Sequence, residues 1–136
     1  MKLEKYSIGV GDRFTYQGKA QLRAILKANE AGLCITPVWN KSNREHVYVG
    51  TVPEDTRKEA DEAVKALNFG GLYFVDADHI NLETVKRYTE VSDFFTLDVA
   101  SFIGKKSNEE ETAAFVASCE KYLGQLQTPG MERSLV

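Results

Sequence analysis

The sequence predicts an α/β fold in which four βα units follow one another around a single parallel sheet. Three observations carry that expectation. Short apolar runs recur four times, at Tyr6-Ser7-Ile8-Gly9-Val10, Leu33-Cys34-Ile35-Thr36-Pro37-Val38, Leu72-Tyr73-Phe74-Val75 and Phe94-Phe95-Thr96-Leu97. Each is nearly continuous rather than alternating, as strands covered on both faces are. Between them lie segments with the helical period, and strand starts near residues 7, 33, 72 and 94 scatter around the roughly 30 residues of a βαβ unit.

The first helix is expected over 17–31, with Ala20, Leu22, Ile25 and Leu26 on one side and Gly32 as its C′ residue. The second spans 53–67, opening on Pro53 and carrying Ala60, Ala63, Val64 and Leu67 on one face. A third over 82–91 follows Asn81 as N-cap, with Leu82 and Val85 turned inward. The last begins at a capping box, Ser107-Asn108-Glu109-Glu110, and presents Phe115, Val116, Cys119, Tyr122 and Leu123. One domain over 1–124 is expected, with 125–136, which has no strand or helix period, as a flexible tail.

The chain has 136 residues, with 17 Lys+Arg against 20 Asp+Glu and a net charge of −3. That length suits one domain. It falls short of the roughly 200 to 250 residues of a complete (β/α)8 barrel. The charge balance and the lack of a basic stripe argue against nucleic acid as a partner. No apolar run approaches the ~18 residues of a membrane span, and the N-terminus lacks a secretory pattern. A cytoplasmic protein is expected, with Cys34 and Cys119 as inert core thiols.

Ligands of a parallel α/β sheet bind at the carboxyl ends of the strands. This sequence places Gly11-Asp12-Arg13 there after strand one, and Trp39-Asn40-Lys41-Ser42-Asn43-Arg44-Glu45-His46 after strand two. Strand three ends in Asp76-Ala77-Asp78-His79 and strand four in Asp98, so both histidines fall on this rim. The opposite loops, such as Asn68-Phe69-Gly70-Gly71, are turn chemistry. Asp76 and Asp78 point to one side of a strand and can reach one hard cation, with His79 adding a nitrogen, a donor set suited to Mn²⁺, Zn²⁺, Fe²⁺ or Ni²⁺. Equally open is a cap for the next helix from one Asp, with His79 on a loop carbonyl. In the 41–46 segment, Lys41 and Arg44 can hold a carboxylate or phosphate, and Glu45 or His46 can move a proton, or the segment is a solvated loop. Gly9-Val10-Gly11 is not a dinucleotide fingerprint, because position 14 is Phe and no acidic residue ends strand two. No nucleophile elbow or phosphate loop is present.

Taken together, the stretches 6–14, 35–46, 73–80 and 92–99 resemble, in order, the tagaturonate epimerase family, over roughly residues 5–104. The resemblance implies a TIM-type barrel of which this chain is one half, made of four βα units. It also implies a metal-dependent interconversion of tagaturonate and fructuronate. Carried over residue by residue, it implies a divalent cation (Zn, Mn, Ni or Fe) at Asp76, Asp78 and His79. Glu45 would be the acid/base carboxylate, with its partner acid/base group in the missing half, and Lys41 and Arg44 would meet the uronate carboxylate. Beside what the resemblance implies, the rim itself offers His46 as a second catalytic candidate and Asp12, Arg13, Asn40, Asn43 and Asp98 as further substrate-binding candidates. Members of that family are several times longer, so the other half of the site would lie outside this chain. The stereocentre inverted is β to the ketone, which points to retro-aldol cleavage and re-addition, and such a site needs groups from both halves. Two functions follow as expectations: a truncated sugar-acid epimerase, or a non-catalytic half-barrel that is structural or assembles. Four parallel strands leave two open edges, so a homodimer through those edges is expected.

Overall fold

A computed structural model describes residues 4–124, in a chain that forms two compact units, Leu3–Val99 and Ala100–Val136 with Met1–Lys2. In the first unit, β1 (Ser7–Val10), β2 (Thr36–Ser42), β3 (Phe74–Ile80) and β4 (Phe94–Leu97) form one sheet in the order β1-β2-β3-β4, every pair parallel. Helices α1 (Gly18–Glu30), α2 (Asn43–Val49) and α3 (Pro53–Ala66) lie between the strands. The second unit holds α4 (Glu109–Cys119) and a 3₁₀ turn at Glu120–Tyr122. This is the α/β class that the apolar runs predicted, and the domain boundaries differ in that α4 belongs to the second unit.

Strand order decides the architecture. When consecutive parallel strands are also neighbours, right-handed crossovers put successive helices on the same face. The core reports that face: Leu22 and Ile25 of α1 and Ala60 and Ala63 of α3 bury against Trp39 of β2 and Val75 of β3, which are register partners. A doubly wound sheet would need a reversal of strand order, and there is none. The arrangement is that of one half of a (β/α)8 barrel, and the face opposite the helices is open.

Local chemistry explains each element. α1 ends in a Schellman motif, with the Gly32 N–H donating to Asn29 O at 2.9 Å and the Leu33 N–H to Ala28 O at 3.1 Å. Gly32 takes φ +88°, which suits a residue with no Cβ. Pro53 is the first residue of α3, and the Asp55 carboxylate accepts from the Val52 N–H at 2.9 Å. In the second unit the cap of α4 is Asn108, whose Oδ1 accepts from the Glu110 N–H, rather than Ser107.

Several expectations are corrected. β2 starts at Thr36 and runs through Asn40, Lys41 and Ser42, and β3 runs on through Asp76 to Ile80, so both reach deeper into the rim than apolarity suggests. Polar residues extend these strands because ladder hydrogen bonds accept any side chain that has somewhere to go. Asn43–Val49 is a helix, not a solvated loop. The expected helix over 82–91 is a turn and a short 3₁₀ segment, Val85–Arg87, in which Asn81 Oδ1 caps the Glu83 and Thr84 N–H groups. Leu82 is 92% exposed, while Val85 packs as expected and Tyr88 takes the buried place. Ala20, Phe115, Val116, Tyr122 and Leu123 are exposed. Neither thiol is in a core: Cys34 is exposed at φ +51° and Cys119 is half-buried. The expected tail, 125–136, lies outside the described residues.

Leu22→Ala is expected to lower the unfolding free energy by about 2–5 kcal/mol in urea titrations, because it opens a cavity between α1 and the sheet. Leu82→Ala should stay within about 0.5 kcal/mol of the parent. A reversed ranking would contradict the core described above.

Candidate active site

The carboxyl rim is built outward from β2. Asn40 lies on the open face, while Trp39 and Lys41, one residue to either side, go to the helix-covered face. Lys41 is buried, and its Nζ donates to the Arg13 carbonyl, tying the loop after β1 to the sheet. Burial lowers the Lys41 pKa from its ordinary value, and the charges of Asp12, Glu45, Glu59 and Asp55 oppose that. Gly11 lets the loop pass close to β2, since a Cβ would sit 2.7 Å from Asn40 Oδ1 and 3.1 Å from its carbonyl O and would push Asn40 aside.

Asp12 folds back on its own loop. Its Oδ1 accepts from the Phe14 N–H at 3.0 Å, and its Oδ2 from the Tyr16 and Gln17 N–H groups at 2.5 and 2.7 Å. Burial works against the charge, but these three donors and Lys41 hold the carboxyl below its usual range. Glu59 of α3 closes the same loop by accepting from the Gly18 N–H at 2.8 Å, and its own pKa is raised by burial. The N–H groups at the start of α1, which have no partner within the helix, are thereby answered by carboxylates of the chain itself.

After β2, Ser42 caps α2 in a full capping box. Its Oγ accepts from the Glu45 N–H at 3.2 Å, and Glu45 Oε2 accepts from the Ser42 N–H at 3.1 Å. Glu45 Oε1 stands 3.7 Å from Arg13 Nε. Despite burial, the Ser42 hydrogen bonds and the charges of Arg13 and Lys41 keep the Glu45 carboxyl below its ordinary value, so it is ionised at neutral pH. His46 faces inward instead. It is 1% exposed, its Nδ1 pairs with Thr51 Oγ1 at 2.9 Å, and its Nε2 is buried without a partner among the described residues. Burial and the nearby Lys41 and Arg87 charges bring its pKa down to about 4. Asn43 is taken up by Arg87, whose Nη1 donates to its Oδ1 at 2.6 Å.

These pieces leave a cleft of about 550 Å³ bounded by Gly11–Phe14, Asn40, Glu45 and Asp78. A smaller depression of about 250 Å³ adjoins it, between Arg13, Arg44, Glu45 and Tyr48. Of the residues expected at the substrate site, Asp12, Arg13, Asn40 and Glu45 meet at the cleft, and Arg44 stands beside it. Lys41 and His46 lie beneath it on the covered side. At the end of β4, the Asp98 N–H donates to Ile80 O at 2.8 Å. Phe14 and Tyr48 are rim residues that the sequence reading missed. The only sign of them was an aromatic in an otherwise polar loop or helix.

Among the described residues, those expected to hold a metal do not form a three-ligand group. Asp76 and Asp78 share the open face, but Asp76 Oδ2 accepts from Thr96 Oγ1 at 2.9 Å, and its Oδ1 is buried without a partner among the described residues. His79 takes φ +52° at an irregularity in the β3–β4 pairing, which brings both Ala77 and Ile80 to the covered side and turns the imidazole to solvent. Its Nδ1 pairs with Asp78 Oδ1 at 2.7 Å, and that bond and the Asp78 charge raise its pKa. Burial, with the Asp78 charge adding to it, raises that of Asp76. No group of three His, Cys, Asp or Glu among the described residues could hold a metal ion, so the described donors do not fit a complete divalent-metal centre.

Fold and rim together define a parallel α/β protein with a polar cleft at the strands' carboxyl ends. The fold is similar to that of a solved structure, the fructuronate-tagaturonate epimerase UxaE from Cohnella laeviribosi, crystallised with two glycerol molecules, at a TM-score of 0.64 and 24% identity. The match covers 83% of this chain and 23% of that one, so this chain spans less than a quarter of that protein's length. At that identity the likeness shows the fold. No family model matches the sequence, and no curated protein does. No helix among the described residues is long and apolar enough to cross a membrane.

His46 gives a pH test. Its folded pKa, about 4, lies below the ordinary 6.5, so on acidification the unfolded chain takes up the proton first. Stability is therefore expected to fall as pH drops from about 6.5 to about 4 and to lose nothing more from this group below that. The loss is on the order of 3 kcal/mol. His46→Gln should remove that part of the slope in urea titrations across the window, and an identical slope in the variant would contradict it.

Proposed function

We propose that this chain supplies one wall of a sugar-acid site in an epimerase-like α/β protein. The observation that carries this reading is the cleft, where a guanidinium at Arg13 stands among the oxygen and amide groups of Glu45, Asp78 and Asn40. Carboxylates and amides pair with hydroxyls, and a guanidinium pairs with a carboxylate, which is the group set of a polyhydroxy acid. The likeness in fold to an enzyme described as a fructuronate-tagaturonate epimerase supports the same substrate class.

In this reading Arg13 and Arg44 meet the substrate carboxylate, and Asn40 and Asp78 its hydroxyls. Glu45, ionised and at the cleft, is the general base. It takes the proton of the hydroxyl β to the ketone, and the adjacent carbon–carbon bond breaks to an aldehyde and an enolate. Re-addition to the other aldehyde face, with the proton returned to oxygen, inverts the centre. Asp12 and Lys41 serve by holding the Arg13 loop, and Asn43 by its tie to Arg87. A second acid/base group would come from residues beyond this wall, because His46 is buried. A divalent cation (Zn, Mn, Ni or Fe) belongs to the reading only with ligands that join Asp76 and Asp78 from outside residues 4–124.

The test is NMR titration of the 136-residue protein with tagaturonate, alongside an epimerisation assay. Amide shifts are expected at residues 11–14, 40 and 45, with little or no turnover. Arg13→Gln should weaken binding by about tenfold, the scale of a lost charge-assisted hydrogen bond. Shifts confined to other surfaces would overturn the sugar-acid reading. Robust turnover abolished by Glu45→Gln would show that one wall is enough.

A further inference from the structure

The face of the sheet opposite the helices forms an open groove of about 250 Å³ between Ser7 and Gly9 of β1, Asn40, Asp76, and Phe94 and Thr96 of β4. Its two borders are sheet edges, since β1 and β4 each end the strand order. The backbone shows what β1 offers. The Thr36 N–H donates to Tyr6 O, so Tyr6 and Ile8 pair toward β2, and Ser7 and Gly9 turn their N–H and C=O groups to the edge. On β4 the Asp93 N–H donates to Val75 O, which turns the Phe94 backbone to the other edge.

We propose that a second copy of this chain covers the open face, with β4 of each copy pairing to β1 of the other about a two-fold axis along the strands. The edges complement each other. β1 and β4 are both four residues long. On the inner side, Phe94 and Thr96 come beside the partner's Ser7 and Gly9, so that a large ring meets side chains that are small or absent and fills the space an edge glycine leaves. On the outer side, the exposed Phe95 and Leu97 come beside the partner's exposed Ile8, so the apolar groups that each edge leaves in water close over one seam. One symmetry operation satisfies both edges of both copies at once and gives the eight parallel strands of a closed barrel. A single added strand would only move the edge outward. The same operation sets a second cleft across the rim from the first, supplying the opposite wall that each cleft lacks. This inference stands on the sheet edges and does not depend on the sugar-acid reading.

Sedimentation equilibrium of the 136-residue chain at micromolar concentration tests it. The expected result is a reversible dimer of the 15.2 kDa chain. Ser7→Pro removes an edge N–H that makes no bond to β2, and Leu97→Lys places a charge in the outer seam. Each should weaken dimerisation by at least about tenfold while the far-UV circular dichroism stays that of the parent. A parent chain that is monomeric overturns the proposal and leaves the face to a different polypeptide. So does a dimer that survives both substitutions, which would be held by another surface. Should Ser7→Pro fail to fold, amide exchange in the parent decides with Leu97→Lys: the Ser7 and Gly9 N–H groups are expected to be protected at high concentration and to exchange freely on dilution, and free exchange at both concentrations overturns it.

Discussion

Strand β2 sends Trp39 and Lys41 to the side covered by helices and Asn40 to the other, and most of the molecule is arranged around that alternation. Trp39 is the largest side chain in the core shared by α1, α3 and β3. Lys41, one turn of the pleat further on, reaches the Arg13 carbonyl and holds the loop that brings Arg13 to the cleft. Asn40 faces the open side and approaches Gly11 closely, with its Oδ1 2.7 Å and its carbonyl O 3.1 Å from where a Cβ would stand, so a side chain there would have to displace Asn40. At its end the same strand provides Ser42, which caps α2 and places Glu45. A shift of one residue in the β2 register would exchange the two faces and remove core and cleft together.

The rim keeps its charges in place with backbone donors. Asp12 is satisfied by three N–H groups and Glu45 by the Ser42 N–H and hydroxyl, so both remain ionised although partly buried. Where burial outweighs the donors the shift runs the other way: Glu59, despite the Gly18 N–H, and Asp76, despite Thr96, are raised, and burial holds His46 neutral. Two neighbouring residues of α2 thus have opposite fates. Glu45 faces the cleft as a carboxylate, and His46 faces Tyr88, ring to ring at 6.1 Å, as a neutral imidazole.

The opposite rim is built for stability. Arg57 of α3 donates through Nε to Val91 O at 2.9 Å and through Nη2 to Asp93 Oδ2 at 2.5 Å, and Asp93 Oδ2 also accepts from the Val75 N–H at 2.8 Å. One guanidinium therefore joins a helix to the starts of two strands. Partly buried and multiply bonded, it is worth more than an exposed pair such as Lys58–Glu62.

The sequence by itself determined the class, the strand positions of β1 and β4, the helices α1 and α3, and the rim on which the polar side chains gather. Apolar periodicity and Gly/Pro punctuation are local, and they act the same way in any surroundings. Tertiary structure decided the rest. Residues 40–42 and 76–80 became strand because neighbouring ladders pair any backbone, polar or not. Asn43–Val49 became a helix because the Ser42–Glu45 box starts it and Gly50, at φ +71°, ends it, although in sequence the same residues read equally as part of a solvated loop. Whether Lys41, His46 and His79 face the cleft, the core or solvent could not be read from their spacing. That choice turns on a pleat, a helix face and one residue at positive φ, each fixed only when the strands meet their neighbours.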